Sequence, residues 1–282
     1  MISVRRSSTN FLGVGMCRSL LLVVAWSSAL AARAQEMEFF GRSGALGVEP
    51  FGAEDPDAED DVPRIPEPLV FDLVRSLGAR QGEFEVNTLG IVNLRRIRRG
   101  DSRAPAIDWA PEAEYALWDN FAVELELPME DDDVYAYKAA AQYTFGTALA
   151  DTYIQGAQMI FEQVRNPSIS ELSLLYIGGM QFDDLWSALA MVGFRANMGQ
   201  ARPEDRAETL LNFSIFRHIT DSATIGLETN HAATMEGEAS LLIMPQWHWE
   251  ITDHAMLQTG VGVQFVDAEA IPVGAFRGIY TF

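Results

Sequence analysis

Five short turns recur along this chain, each setting an aspartate between apolar or aromatic flanks: Leu117-Trp118-Asp119-Asn120-Phe121, Leu149-Ala150-Asp151-Thr152-Tyr153, Phe182-Asp183-Asp184-Leu185-Trp186, Ile219-Thr220-Asp221-Ser222-Ala223 and Ile251-Thr252-Asp253-His254-Ala255. Asp119, Asp151, Asp184, Asp221 and Asp253 stand 32, 33, 37 and 32 residues apart. Such an interval holds two strands of about ten to twelve residues with one tight and one longer connection, which is the repeating unit of an up-and-down β-barrel. The expected fold is therefore all-β, an antiparallel transmembrane barrel.

Between the turns the side chains alternate with period two, so each strand has one face for lipid and one for water. Ile107, Trp109, Ala113, Tyr115 and Leu117 oppose Asp108, Glu112, Glu114 and Ala116; Phe121, Val123, Leu125 and Leu127 oppose Ala122, Glu124 and Glu126. Tyr135, Tyr137, Ala139, Ala141 and Tyr143 oppose Lys138, Gln142 and Thr144, and Leu257, Thr259, Val261, Val263 and Phe265 oppose Gln258, Gly260, Gly262 and Gln264. Residues 153–165 and 169–180 alternate poorly and leave their facing open. Strand starts are expected near Glu83, Pro105, Asn120, Val134, Thr152, Ile169, Leu185, Ala207, Ser222, Gly237, His254 and Pro272, which makes about twelve strands, an even number as bacterial barrels require.

The N-terminus sets the compartment. Arg5, Arg6 and Arg18 precede an apolar run from Leu20 to Leu30, and Ala32-Arg33-Ala34 supplies a small-x-small cleavage pattern, so residues 1–34 read as a signal peptide. The run is too short to cross a hydrocarbon core of about 30 Å as an anchor. Cys17, the sole cysteine, leaves with the signal, which removes disulfides and thiolate metal sites from consideration. Four arginines leave with it and no acids, so the formal charge of −20 becomes −24, and nucleic acid is excluded as a partner. Residues 35–82 form a separate N-terminal segment. Glu49 to Pro68 contains eight acids and five prolines against one base, Arg64, a composition expected to be disordered in the periplasm. Leu69-Val70-Phe71-Asp72-Leu73-Val74 follows and is read as a short helix or added strand near the periplasmic mouth; the barrel itself is placed at residues 83–282.

Short turns would then face the periplasm, while the connections at 95–104, 198–206, 231–237 and 266–271 face outward. Trp118, Phe121, Tyr153, Trp186, Tyr115, Phe216, Trp247, Trp249, Tyr280 and Phe282 are expected as an interfacial girdle. A soluble sandwich could bury such residues as core, but the chain ends Phe276-Arg277-Gly278-Ile279-Tyr280-Thr281-Phe282. Tyr280 and the terminal Phe282 resemble the assembly signal of outer-membrane barrels, which implies the barrel-assembly machinery as a partner; Arg277 stands where that signal usually has glycine. The run Glu83-Phe84-Glu85-Val86-Asn87, the hairpin from Pro111 to Pro128 and the recurring Asp turns resemble the outer-membrane family named for the meta pathway of phenol degradation, over most of residues 69–282. That resemblance implies a barrel admitting aromatic compounds and carries over no catalytic motif.

The distinctive lumen chemistry is a carboxylate wall. Folding the hairpin about Asp119 sets Glu114 opposite Glu124 and Glu112 opposite Glu126, and like charges facing across a ladder cost a few tenths to about 1 kcal/mol per pair. Lys138 is expected near Glu124, with Arg195 and Arg277 also inward. Two readings stay open, a salt-bridge network that plugs or rigidifies the barrel and a cation-selective constriction. Together with Gln142, Glu228, His248, Glu250, Gln258 and Gln264 these residues make the expected pore lining. His248, Glu250 and Glu228 could be drawn as a metal site, but water-facing strands carry such residues as a rule, and neither metal nor cofactor is expected. Arg95, Arg96, Arg98, Arg99 and Arg103 make the first outer loop basic and suit lipopolysaccharide phosphates.

A barrel lipid hydrolase would need a nucleophile and histidine facing lipid near the outer leaflet. His231 has that facing, its opposite residue is about Thr209, and no serine takes the place. No catalytic residue is assigned, and the chain is read as a non-enzymatic outer-membrane channel passing small solutes, aromatic compounds among them. A structural or plugged barrel without transport is the alternative, with the lipid hydrolase behind it.

Overall fold

The computed structural model describes residues 62–71, 73–95, 107–166, 168–200, 206–235, 237–266 and 269–282. The expected signal peptide, nearly all of the acidic Pro-rich stretch and loop residues Arg96, Arg98, Arg99 and Arg103 lie outside the described residues.

Alternation and turn chemistry give the strands. β1 spans Phe84–Asn93, β2 Ile107–Trp118, β3 Phe121–Glu126, β4 Met129–Glu130, β5 Asp133–Val134 and β6 Ala136–Ala148. β7 spans Tyr153–Val164, β8 Ile169–Gln181, β9 Trp186–Gly199 and β10 Ala207–Thr220, followed by β11 Ala223–Thr234, β12 Ala239–Thr252, β13 Ala255–Val266 and β14 Glu269–Thr281. Two of these are continuations. β3 and β4 both pair with β2 and flank Leu127–Pro128, where proline lacks the N–H a ladder needs, and β5 runs on into β6. The fourteen segments thus make twelve staves at the expected positions, paired antiparallel with their chain neighbours.

β1 closes the ring. It pairs with β14 from Glu85↔Thr281 to Asn93↔Val273 and with β2 from Phe84↔Tyr115 to Val92↔Ile107, so no edge is left open. The closing seam includes Tyr280 and Phe282: the Phe282 N–H donates to the Phe84 carbonyl at 2.9 Å, and its ring lies 5.1 Å from Phe84 and 4.8 Å from Tyr280. Most staves carry 12 to 14 residues. At about 3.3 Å per residue and a tilt near 40°, that matches a bilayer's hydrocarbon core.

The recurring turns are built from more than aspartate. Asp183 Oδ1, rather than Asp184, accepts the Leu185 and Trp186 N–H groups at 2.8 and 2.7 Å. In the last two turns Thr220 and Thr252 hydroxyls accept the N–H groups that follow. Register shifts sit just before four short turns, at Ala116/Trp118, Thr144/Gly146, His218/Thr220 and Glu250/Thr252. Each inserts an unpaired residue that bends the stave toward its turn.

Facing agrees with the alternation. Leu125, Tyr137, Phe161, Phe213 and Val261 are exposed on the outer surface, while Glu112, Glu114, Glu124, Glu126, Lys138 and Gln142 are buried inside. Trp118, Trp186, Trp247, Trp249, Tyr115 and Tyr280 are exposed as a girdle requires. Phe216 is a correction, since it has lumen parity, is fully buried and lies 5.6 Å from the His248 ring. β7 and β8 alternate poorly for a reason visible in their inner faces, where Ile154, Ile160, Leu175 and Ile177 are buried apolar residues. Something apolar lies against them.

Candidate functional site

That partner is the chain's own segment before β1. Residues 65–71 and 73–79 lie inside the barrel, neither a helix nor an added strand at its mouth. The segment contacts the short-turn half of the wall at Ile65, reaches mid-height at Leu69–Phe71 and returns through Leu77 to the short-turn end, where the Ala79 carbonyl accepts the Asn120 N–H at 2.7 Å. Its apolar residues are seated on the wall. Ile65, Leu73, Val74 and Leu77 pack with Ile154, Leu175, Ile177 and Leu189, while Leu69 packs with Leu242, Met244 and Val273. Burying each such side chain is worth about 1.5–3 kcal/mol. Two wall glycines are shaped to this contact: a Cβ on Gly179 would stand 2.4 Å from Ile65 Cδ1, and one on Gly260 would stand 2.8 Å from Leu69 Cδ2.

An irregular segment inside a barrel has no ladder to satisfy its backbone, so side chains of the wall must do it. Glu228 does the most. Its carboxylate, fully buried, accepts the N–H groups of Leu69, Val70 and Phe71 at 2.9, 3.1 and 2.7 Å, and Asn230 Nδ2 at 2.6 Å. Gln246 Oε1 also accepts the Leu69 N–H at 2.9 Å, and Thr144 Oγ1 the Gly78 N–H at 3.0 Å. In the other direction Gln142 Nε2 donates to the Arg75 carbonyl at 2.7 Å, Gln258 Nε2 to the Glu67 carbonyl at 3.3 Å and Arg277 Nη1 to the Pro68 carbonyl at 3.5 Å.

The carboxylate wall has the expected register, Glu112↔Glu126 and Glu114↔Glu124. Lys138 pairs with Glu126 in the ladder, its Nζ bonded to that carboxylate and 3.3 Å from Glu124 Oε1, so it serves both acids rather than Glu124 first. Arg277, 1% exposed, holds Glu112 Oε1 at 3.0 Å and faces Glu67 of the inner segment at 4.0 Å. Arg195 stands between Glu171 at 3.5 Å and Glu208 at 3.6 Å. At the short-turn end Arg75 reaches Glu83 at 3.2 Å and Glu85 at 3.8 Å. Among the described residues the wall thus joins an ion-pair network to more acids than bases.

His248, Glu250 and Glu228 do not converge as a metal set. His248 is engaged by Gln246 at 3.1 Å, Glu228 by the inner segment, and Glu250 is exposed at the short-turn mouth beside a cavity of about 340 Å³ that Glu67, Arg75 and Asp253 also border. Gln264 has lumen parity between Leu242 and Ile271. His231 opposes Leu211 and Leu241, and Thr209 pairs with Ala233, so the expected His231–Thr209 juxtaposition is off by two residues. Arg95 is bonded to the Glu269 carboxylate and the Ala270 carbonyl, fastening the end of β1 to β14. Glu67, Arg75 and Gln246 are absent from the expected pore lining, as is Thr144 despite its water-facing parity. The available signal was apolar residues at lumen parity in β7 to β9, since an inward apolar face demands an inner partner.

The family model described as HAEPLYID-like matches residues 64–280. No curated protein matches the chain. Among solved structures, an outer membrane channel from Pseudomonas putida F1 is 10% identical, with a TM-score of 0.53 over 73% of this chain and 97% of that one. The KdgM porin is 10% identical, with a TM-score of 0.50 over 70% and 99% of the two chains. For the NanC porin the values are 9%, 0.50, 70% and 98%. At such identities the likeness is one of fold, the closed antiparallel barrel of outer-membrane proteins.

Proposed function

The chain belongs to the HAEPLYID-like family, and on its porin-like scaffold we propose an outer-membrane channel for small solutes that residues 65–79 hold closed from the periplasmic side. One observation carries the reading: beside its apolar seats, the inner segment's backbone is held by polar side chains of the wall, Glu228, Gln142 and Gln258 among them. A permanent core would gain more from apolar contacts throughout, whereas these bonds can be exchanged for water when the segment leaves. What it would leave behind is a lumen with an apolar stretch along β7 to β9 and, on the carboxylate wall, more acids than bases. Such a wall favours cations, and among aromatic compounds, the class implied by the meta-pathway resemblance, it favours cationic and neutral molecules over carboxylates. Arg96, Arg98, Arg99 and Arg103 belong to the same proposal as holders of lipopolysaccharide phosphate at the outer face, Arg95 being engaged by Glu269.

Planar bilayers test this. The mature chain is expected to conduct rarely, and a chain lacking residues 62–78 is expected to give frequent, cation-selective steps whose selectivity falls when Glu112, Glu114, Glu124 and Glu126 are all changed to Gln. A folded deletion variant that stays silent would refute the channel and leave a structural barrel. Equal conductance with and without the segment would refute the plug.

A further inference from the structure

The outer surface of the barrel departs from its apolar pattern at one residue. Among the described strand residues of lipid-facing parity, Arg217 is the only Lys, Arg, Asp or Glu. It stands between Ile215 and Ile219 on β10, in a chain whose formal charge is −20. A cation on a lipid-facing strand is unfavourable by an amount that depends on depth and falls away only near the interface. No carboxylate among the described residues pairs with it.

Its surroundings put it at headgroup level. Arg217 pairs with Trp186, the first residue of β9, in the last rung before a short turn, and its guanidinium carbon lies 5.3 Å from the centroid of the Trp186 ring. On the other side the rung runs through Ile225 to Trp247. Trp186, Arg217 and Trp247 are all exposed, which makes an aromatic shelf with one cation on it. Stacking on tryptophan takes up the flat face of a guanidinium and leaves its N–H edge, the part that grips phosphate as a fork. Short turns of such barrels face the periplasm, so the lipid at this rim is phospholipid. Beyond the shelf, toward water, lie carboxylates. Asp184 in the turn before β9 and Asp221 in the turn after β10 are both exposed. Asp183, by contrast, is occupied by the Leu185 and Trp186 N–H groups.

From this order of charges, a cation at the apolar edge and acids outside it, we infer that Trp186, Arg217 and Asp184 form a site for a zwitterionic phospholipid with an ethanolamine-type headgroup. Such a headgroup has the matching order, its phosphate next to the glycerol and its primary ammonium farther out. Arg217 takes the phosphate and Asp184 the ammonium. The acyl chains then lie along Ala190 and Phe213, paired and exposed on the same face. An anionic glycerol headgroup would meet Asp184 and Asp221 with no ammonium to offer them, and a choline headgroup has a charge but no N–H to donate. The site stands independently of whether the barrel conducts.

Native mass spectrometry of the mature chain folded in detergent tests this, with phosphatidylethanolamine, phosphatidylglycerol and phosphatidylcholine of identical acyl chains added in turn. The wild type is expected to retain one phosphatidylethanolamine in preference to the other two. Arg217→Gln should weaken that binding by about tenfold, the worth of one charge-assisted bond, and Arg217→Lys by less. Asp184→Asn should keep the phosphate contact and lose the preference for ethanolamine over glycerol headgroups. Arg165→Gln, at an exposed arginine on the opposite rim, should change nothing. Electrophoretic mobility without heating confirms that each variant is folded. Equal retention of phosphatidylethanolamine by the wild type and Arg217→Gln would overturn the site, and a wild-type preference for phosphatidylglycerol would overturn the zwitterionic assignment.

Discussion

Glu228→Ala is expected to raise the undocked population of residues 65–79 by roughly a hundredfold, equivalent to about 3 kcal/mol. The change removes the acceptor of three consecutive backbone N–H groups, at Leu69, Val70 and Phe71. Charge-assisted bonds are worth about 1.5–3 kcal/mol each, and part of that is returned because a carboxylate no longer has to be stripped of water. Apolar contacts at Ile65, Leu69, Leu73, Val74 and Leu77 remain, so the docked form persists as the major one. They are opposed by the ordering of the segment, about 1–2 kcal/mol per residue, and for that reason the loss of one latch is felt. The barrel ladder is backbone-built and should survive intact. Trypsin supplies the readout: Arg75 is buried in the lumen, whereas Arg64 and Arg80 are exposed at the mouth and serve as internal controls. Cleavage after Arg75 should accelerate in Glu228→Ala and do so less in Glu228→Gln, which keeps one acceptor oxygen. Unchanged cleavage in both variants would mean that apolar packing alone holds the segment.

What was legible in the sequence was whatever obeys a period. Strand starts, the facing of β2, β3 and β6 and the opposed pairs Glu112 with Glu126 and Glu114 with Glu124 all follow from period-two alternation folded about a turn. Residues 65–79 have no period to read, because an irregular segment takes its conformation from the wall around it. Their presence blurred the pattern elsewhere. Ile154, Ile160, Leu175 and Ile177 put apolar side chains on both faces of β7 and β8, which reads as ambiguity until an inner partner is known. Glycine misleads in the same way, since Gly179 and Gly260 look like gaps in strands and are seats for Ile65 and Leu69. The His231–Thr209 error has another origin. The observed pairs of β10 and β11 centre on Asp221, and folding one residue off that centre moves every partner by two, a shift that preserves facing and so goes unnoticed.

Arg277→Met should destabilise the barrel by about 3–5 kcal/mol, the usual result of removing one partner from a buried ion pair. Arg277 is the cation on which wall and inner segment meet, with Glu112 at 3.0 Å on one side and Glu67 at 4.0 Å and the Pro68 carbonyl at 3.5 Å on the other. Methionine fills much the same volume, so the loss measures charge rather than a cavity. Glu112 would then face Glu126 across the ladder, and Lys138 is already shared between Glu126 and Glu124. Lysine at position 277 keeps the charge but cannot fork toward two carboxylates, and it should fall between wild type and Met. The decisive variant is the double change Arg277→Met with Glu112→Gln, which removes both charges and should recover most of the loss, giving a coupling energy above about 1 kcal/mol. Denaturant unfolding in detergent, followed by tryptophan emission, measures each corner of the cycle. A single Arg277→Met variant as stable as wild type would show that Glu112 carries no charge in the folded barrel, and additive effects would show that Arg277 serves Glu67 and the inner segment instead.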